Sequence, residues 1–341
     1  MNRRPTMTLL VNPRAGHSRA ARELPGVAAE LVRGLPDHLL RVVRTRDFTD
    51  AKVQALAAVR ASLEAGEAAR PDMLLVMGGD GMASIGLNAC AGTPVRLGVI
   101  PAGTGNDFTR GMGVPTTGPG AVAAIVSGAE RRVDLMLVEG SLTGGAARRH
   151  VGSVVSTGYD ARVNYRTNHR RFSLGSLSYG LDAIAELARF EPLRYRLTVD
   201  GVTREEPAML IAVANAGVFG GGMRICPYAD PSDGLLDVTI IHPVSRLTLI
   251  RLLRTMYDGS FVRDPCVELL RARRVHIAGD DMFGMADGEE LGDVPLELGV
   301  ERGALHLLGA DAMEPLGPPR KAIQGPPPEA DDTDDEDDGS A

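Results

Sequence analysis

The sequence predicts an α/β fold in two parts, a half built on a parallel sheet followed by a β-rich half. Three observations carry this. Up to residue 133, short apolar runs alternate with stretches whose apolar residues recur at the helical period. The runs 73–77 (MLLVM) and 97–100 (LGVI) are apolar throughout and each ends in a glycine loop, as strands buried on both faces do. From residue 134 onward β-like runs dominate, at 151–156, 195–199, 209–214, 236–241 and 275–278.

Taken in order, residues 8–11 read as a buried strand that runs into the turn-rich Asn12-Pro13-Arg14-Ala15-Gly16, after which helical spacing spans 19–33. A second strand fits 39–44, and the Ala-rich stretch 51–65 reads as a helix. The two central strands follow, and a short helix is expected over 106–111, capped by Asn106 or Asp107. In the second half the exception to the β texture is 176–190, where Leu177, Leu181, Ile184, Ala185 and Leu187 line one helical face. The expected division is 1–133 and 134–295, with a Pro-rich and acidic tail at 315–341.

Composition narrows the function. The 341 residues are 44% hydrophobic and 24% charged, which gives an ample core and excludes disordered and collagen-like classes. Aromatic residues are 4% and Trp is absent, so a reader that stacks nucleic-acid bases is disfavoured and no nucleic-acid partner is expected. The net charge of -7 belongs to the tail: residues 329–338 hold eight acids and no base, and without them 37 bases meet 36 acids. Cys90, Cys226 and Cys266 form no C-x-x-C pair, which fits a reducing cytoplasm. The apolar run 7–11 is too brief for a signal-peptide core. The uncharged stretch 208–223 falls short of the ~20 apolar residues of a spanning helix, so membrane contact is expected to be peripheral.

Four segments can carry chemistry. Gly78-Gly79-Asp80-Gly81 follows the strand 73–77, and its glycines would permit positive-φ turns whose N–H groups approach an anion. Gly103-Thr104-Gly105-Asn106-Asp107 follows the next strand and leads into a helix, which suits phosphate oxygens. Both loops sit at the carboxyl ends of strands, where open α/β sheets bind ligands. Asp287-Gly288-Glu289 is either a hairpin turn or, if extended, a pair of carboxylates on one side able to act on one group. Asp230-Pro231-Ser232-Asp233-Gly234-Leu235-Leu236-Asp237 reads as a turn between strands or as a set of hard oxygen ligands for Mg2+. Lys52 and Lys321 are the only lysines, so there is no Walker G-K-[ST] and no protein-kinase strand lysine. Backbone N–H groups and Mg2+ must then carry most phosphate charge. There is no H-E-x-x-H and no G-x-S-x-G.

In this order the segments resemble the diacylglycerol kinase catalytic family, which includes bacterial lipid kinases and sphingosine and ceramide kinases. Val11-Asn12-Pro13 with Gly16 is similar to its V-N-P-x-x-G, Gly78 to Gly81 to the start of G-G-D-G-T, and Pro101 to Arg110 to P-x-G-T-x-N-D-F-x-R. Gly158-Tyr159-Asp160-Ala161, Asn215 with Gly220-Gly221-Gly222, Asp233-Gly234-Leu235-Leu236-Asp237 and Asp287-Gly288-Glu289 resemble its later elements. The resemblance implies an N-terminal Rossmann-like α/β nucleotide domain, of the plan shared with NAD kinases and phosphofructokinases, and a C-terminal β-sandwich-like domain. A segment at 296–314 would return to the first domain. It implies ATP as co-substrate, Mg2+ bridging its phosphates, and transfer of the γ-phosphate to the hydroxyl of a diacylglycerol-like lipid.

By the same resemblance Asn12, Thr45, Gly78, Gly79, Asp80, Gly81, the Met82 backbone, Gly103, Thr104, Asn106 and Asp107 bind nucleotide, and Glu289 with Asp80 and Asp287 forms the catalytic group. A second, structural Mg2+ is implied at Asp233 and the carbonyls of Asp230 and Leu235. Two residues depart from the pattern: Met82 stands where the family has Thr, and Ile85 where many members have Glu. Alternatives are an NAD kinase-like small-molecule kinase and a nucleotide-binding protein with an impaired site. Arg162, Arg166, Arg170 and Arg171 precede the 176–190 helix and form the candidate contact with the inner face of a membrane. A homodimer is left open.

Overall fold

In the computed structural model, which describes residues 3–65, 71–158 and 191–310, the first apolar runs become four parallel strands. These are β1 (Thr6–Val11), β2 (Leu39–Arg44), β3 (Met73–Gly78) and β4 (Arg96–Pro101), in the order β2-β1-β3-β4. Helices α1 (Ala15–Gly34) and α5 (Gly118–Ser127) cover one face through Leu24, Val27, Leu31, Val122 and Ile125. Helices α2 (Phe48–Glu64) and α3 (Asp80–Cys90) cover the other through Ala51, Ala55, Val59 and Ile85. Because β2 and β3 flank β1 on opposite sides, the connections leave in opposite directions and a crevice opens at the carboxyl ends of β1 and β3.

The helix boundaries have local causes. Asp47 caps α2 by accepting the Asp50 N–H at 2.8 Å, so the helix starts three residues before the Ala-rich stretch. Gly16, His17 and Ser18 are left-handed, which postpones the regular course of α1 to the expected Arg19.

The second half is antiparallel. It comprises β5 (Glu130–Leu142), β6 (Arg148–Val151), β7 (Val154–Gly158), β8 (Leu193–Val199), β9 (Val202–Ala208), β10 (Leu210–Ala214), β11 (Val218–Phe219), β12 (Met223–Arg224), β13 (Leu236–Ile241), β14 (Val267–Ala272), β15 (Arg274–Gly279), β16 (Phe283–Ala286) and β17 (Glu289–Leu308). Two layers enclose a core that includes Val138, Val155, Ile211, Val238, Ile277 and Leu296. Helix α6 (Arg246–Thr255) covers the outer face of β10, β13 and β14 with Leu249 and Leu252. The run expected as one strand at 151–156 is divided at Gly152 and Ser153, because β6 pairs with β5 and β7 with β10 and β16. Phe108 packs so closely there that a Cβ on Gly152 would lie 2.6 Å from its ring. The expected 176–190 helix, Arg162, Arg166, Arg170 and Arg171, and the 315–341 tail lie outside the described residues.

The two halves share hydrogen bonds along one strand. β17 leaves the hairpin with β16, runs antiparallel to β5 from Gly292 opposite Leu142 to Leu308 opposite Glu130, and places Leu307 and Leu308 parallel to Leu97 and Gly98 of β4. Where β5 enters the second half, buried Asp134 accepts the Gly303 N–H at 2.7 Å and the Gly234 N–H at 2.8 Å. Its own carbonyl accepts Asn215 Nδ2 at 2.8 Å.

Asp134→Ala would orphan the Gly234 and Gly303 N–H groups, both of which bond to its side chain. Urea denaturation is expected to show an unfolding free energy lower by about 3 kcal/mol with an unchanged m-value.

Candidate active site

Both glycine loops lie at the crevice and are built on each other. Ala102 N–H donates to the Gly78 carbonyl at 2.7 Å and Gly103 N–H reaches the same oxygen at 3.2 Å. A Cβ on Gly103 would lie 2.5 Å from the Gly79 Cα, and one on Gly78 would lie 2.5 Å from Met82 Cγ. These glycines are therefore required for close approach. None of Gly78, Gly79, Gly81, Gly103 and Gly105 has positive φ, contrary to the expected left-handed turns. The left-handed residue is Asn106 (φ 57°), whose amide closes a ring on Gly103 by accepting its N–H at 3.1 Å and donating to its carbonyl at 3.0 Å.

Asp80 joins the loops. Its Oδ2 accepts the Asn106 N–H at 2.9 Å and its Oδ1 the Phe108 N–H at 3.0 Å, at the start of α4 (Asp107–Gly111). The capping expected of Asn106 or Asp107 is thus supplied from a loop far earlier in the chain, because both of their side chains are engaged elsewhere. Asp107 Oδ2 accepts the Gly221 N–H at 2.7 Å, which ties the glycine loop between β11 and β12 to the crevice. Burial pushes the Asp107 carboxyl up; the Gly221 N–H opposes this and the nearby Asp80 charge adds to it.

Asp287 and Gly288 are the two central residues of the β16–β17 hairpin, both left-handed at φ 51° and 79°. The extended reading, with both carboxylates on one side, does not hold, because a two-residue turn of this kind points them apart. The Asp287 side chain is 3% exposed and accepts a hydrogen bond from Ser153 Oγ, whereas that of Glu289 is 41% exposed. Arg149 of β6 stands between them. Its Nη2 donates to Ser84 Oγ at 2.9 Å, lies 3.5 Å from Glu289 Oε2 and 4.0 Å from Asp287 Oδ2. Burial raises the Asp287 pKa, Arg149 and Ser153 work against the rise, and Asp80 adds to it.

Asp80, Asp107 and Asp287 thus line one pocket of about 130 Å3. Asp107 Oδ1 and Asp287 Oδ2 are buried without a hydrogen-bond partner. Glu289 faces a neighbouring cavity of about 480 Å3 between α2, α3 and the β5–β6 turn, walled by Phe48, Ile85 and Leu291 with Lys52 and Arg148 among its residues.

The other expected residues divide. Asn12 borders the crevice, its N–H on the Met77 carbonyl at 3.0 Å and its Oδ1 on the Arg14 N–H at 3.1 Å. Thr104 is exposed, while Thr45 is buried with its hydroxyl donating to the Val11 carbonyl at 3.1 Å. Met82 turns into the core and its N–H is taken by the Gly79 carbonyl at 3.0 Å. Asp230, Asp233 and Leu235 lie outside the carboxylate pocket. Asp230 Oδ1 accepts from Arg131 Nη2 at 2.8 Å; Asp233 accepts the Leu235 N–H at 3.0 Å and lies 3.6 Å from Arg271 Nη1. Burial pushes the adjacent Asp237 carboxyl up to about 7, with Arg271 opposing and Asp233 adding. Among the described residues Glu206, His242 and Glu268 also come within reach of one ion, but Arg204 already sits 2.7 Å from Glu206 and 2.9 Å from Glu268. Sequence reasoning did not single out Arg149, Ser84 or Ser153, and no motif marks them.

Residues 6–138 match the diacylglycerol kinase catalytic domain, and residues 153–309 match the YegS C-terminal NAD kinase beta sandwich-like domain. A diacylglycerol kinase of Mycobacterium tuberculosis (strain CDC 1551 / Oshkosh) is 37% identical over 304 residues, covering 89% of this chain and 94% of the relative. The chain belongs to the diacylglycerol kinase family. A more distant family member, a diacylglycerol kinase of Staphylococcus aureus (strain bovine RF122 / ET3-1), is 26% identical over 86% of this chain and 89% of its own length. A crystal structure from Bacillus anthracis str. Sterne shares the fold with a TM-score of 0.70 at 23% identity, covering 89% of this chain and 96% of that one. The family's α/β plan with a β-sandwich-like second half is the architecture described above. Among the described residues no helix is long and apolar enough to cross a membrane.

Gly103→Ala would drive a methyl group into the Gly79 backbone and pry the loops of this diacylglycerol kinase family member apart. Calorimetric titration is expected to show ATP binding weakened at least about tenfold, while circular dichroism shows the fold retained.

Proposed function

We propose that this chain is an ATP-dependent lipid kinase that transfers the γ-phosphate of ATP to a hydroxyl of a diacylglycerol-like lipid. The observation that carries this is the delivery of the Asp287-Gly288-Glu289 hairpin, by β17, to the two glycine loops at the sheet's switch point. Residues 1–133 would hold nucleotide and 134–295 the acceptor, with 296–314 returning to the first domain.

Phosphoryl transfer asks for in-line positioning, relief of phosphate charge and a base for the hydroxyl proton. The loops around Gly78 to Gly81 and Gly103 to Asn106, with Asn12, Thr45 and Thr104 at their margin, would receive the phosphates beside the N-terminus of α3. Asp80 holds both loops in register through two backbone N–H groups, so its contribution is positional. Glu289 is assigned the acceptor's proton: it is accessible, faces a cavity, and has Arg149 3.5 Å away. Asp287 is locked by Ser153 and holds the turn in place.

Mg2+ fits the small pocket, because Asp107 Oδ1 and Asp287 Oδ2, buried and without a hydrogen bond, lie with Asp80 in an all-carboxylate set of hard donors. Bound there it would neutralise phosphate oxygens. A structural Mg2+ also fits Asp233 and the carbonyls of Asp230 and Leu235, where buried Asp237 Oδ2 lacks a partner and carboxylates crowd together. A lipid acceptor requires approach to a bilayer. We assign the contact to Arg162, Arg166, Arg170 and Arg171, on the inner face of the membrane, with the protein otherwise cytoplasmic.

The test is transfer of labelled γ-phosphate from Mg-ATP to a mixed-lipid panel and, separately, to NAD. Organic-phase label is expected for the wild type and about a thousandfold less for Glu289→Ala; label on NAD alone would overturn the lipid reading. A thermal scan checks the structural cation: Mg2+ is expected to raise the wild-type Tm by about 3 °C over the chelated protein, and Asp233→Ala to abolish that increment.

A further inference from the structure

A cavity larger than the carboxylate pocket lies beside it. It encloses about 630 Å3 between the segment after α4, the β11–β12 hairpin and the end of α6. Its size is that of a site for a drug-sized ligand.

Its lining combines two arginines with apolar and aromatic side chains. Arg110 and Arg224 both line it, and Arg224 is exposed with no ion pair among the described residues. The one lining carboxylate, Asp230, is already bonded to Arg131 Nη2 at 2.8 Å and to Ser232 Oγ at 2.7 Å. Pro115, Val218, Tyr228 and Tyr257 supply apolar surface and phenol groups. Two guanidinium groups among the lining of a cavity with apolar walls suit a phosphate ester carrying a hydrocarbon part, since the planar fork pairs with phosphate oxygens and the wall takes the chain.

The cavity is also wired to the reaction pocket. Val218 lines both spaces. Arg110 donates to the Gly105 carbonyl and lies 3.5 Å from Asp107 Oδ1, while Asp107 Oδ2 holds the Gly221 N–H at 2.7 Å. An anion on Arg110 therefore changes the charge beside a carboxylate of the reaction pocket.

We infer that this cavity is a second lipid site that binds a phosphate-bearing lipid through Arg110 and Arg224. The lipid class rests on the kinase reading, since a product of that reaction has this chemistry; so do anionic phospholipids of a bilayer.

The experiment uses the full chain and Arg224→Glu, a residue outside the reaction pocket. Two probes are used: dioctanoyl phosphatidate in solution, followed by calorimetry without ATP, and vesicles of phosphatidylglycerol, followed by sedimentation. Arg224→Glu is expected to weaken binding about tenfold or more, with ATP affinity unchanged as the check on folding. Loss with phosphatidate alone assigns the site to reaction product, and loss with vesicles alone assigns it to membrane phospholipid; both support it. Equal binding by wild type and variant to both probes overturns it. γ-Phosphate transfer to diacylglycerol is measured on the same wild-type preparation: its absence, with Arg224-dependent binding intact, would sink the kinase reading and leave the site standing.

Discussion

β5 and β17 hydrogen-bond from the edge of the parallel sheet to the far side of the second half, and that ribbon sets where Asp287 and Glu289 meet the glycine loops. At about 3.3 Å per residue the 20 residues of β17 span roughly 65 Å, enough to belong to both halves at once. One end completes the sheet beside β4 and the other presents a two-residue turn to the crevice. Irregularities at Gly292/Leu296 and Glu301/Leu305 let the strand change course without ending. Asp134 locks the ribbon at the junction by taking N–H groups from Gly234 and Gly303.

Where the hairpin meets the glycine loops, Asp287 joins Asp80 and Asp107 in a concentration of negative charge that would be unfavourable without donors. Asp80 is satisfied by two backbone N–H groups, Asp107 by Gly221 and Asp287 by Ser153, while each of the latter two keeps one buried oxygen without a hydrogen bond. Burial raises the pKa of both, which is the condition a divalent cation would relieve. Arg149 supplies positive charge on the other side of the turn, so Asp287 and Glu289, two residues apart, sit in different surroundings. Met82 and Ile85 are part of the hydrophobic packing beneath the first loop, which explains how the chain tolerates apolar residues at these two positions.

Much of the fold was legible. The parallel strands were predicted within one or two residues, since a buried strand needs an unbroken apolar run and the two central runs end in glycine loops. Less of the second half was legible. The helix α6, whose arginines and leucines are set by the sheet it covers, was not anticipated, and the 151–156 run was read as one strand because the intrusion of Phe108 at Gly152 comes from a distant segment.

The sequence by itself determined the α/β order, the two glycine loops, the absence of any lysine-based phosphate machinery and the identity of the motif residues. All of these rest on local spacing and residue type. Only the tertiary structure decided that the glycines serve close approach rather than left-handed turns, that Asp80 rather than Asn106 satisfies the start of α4, and that Asp287 and Glu289 face different spaces with Arg149 between them. Those outcomes depend on which backbone comes to lie against which. Spacing along one chain does not contain that information, because the contacts involved join residues dozens to more than a hundred positions apart.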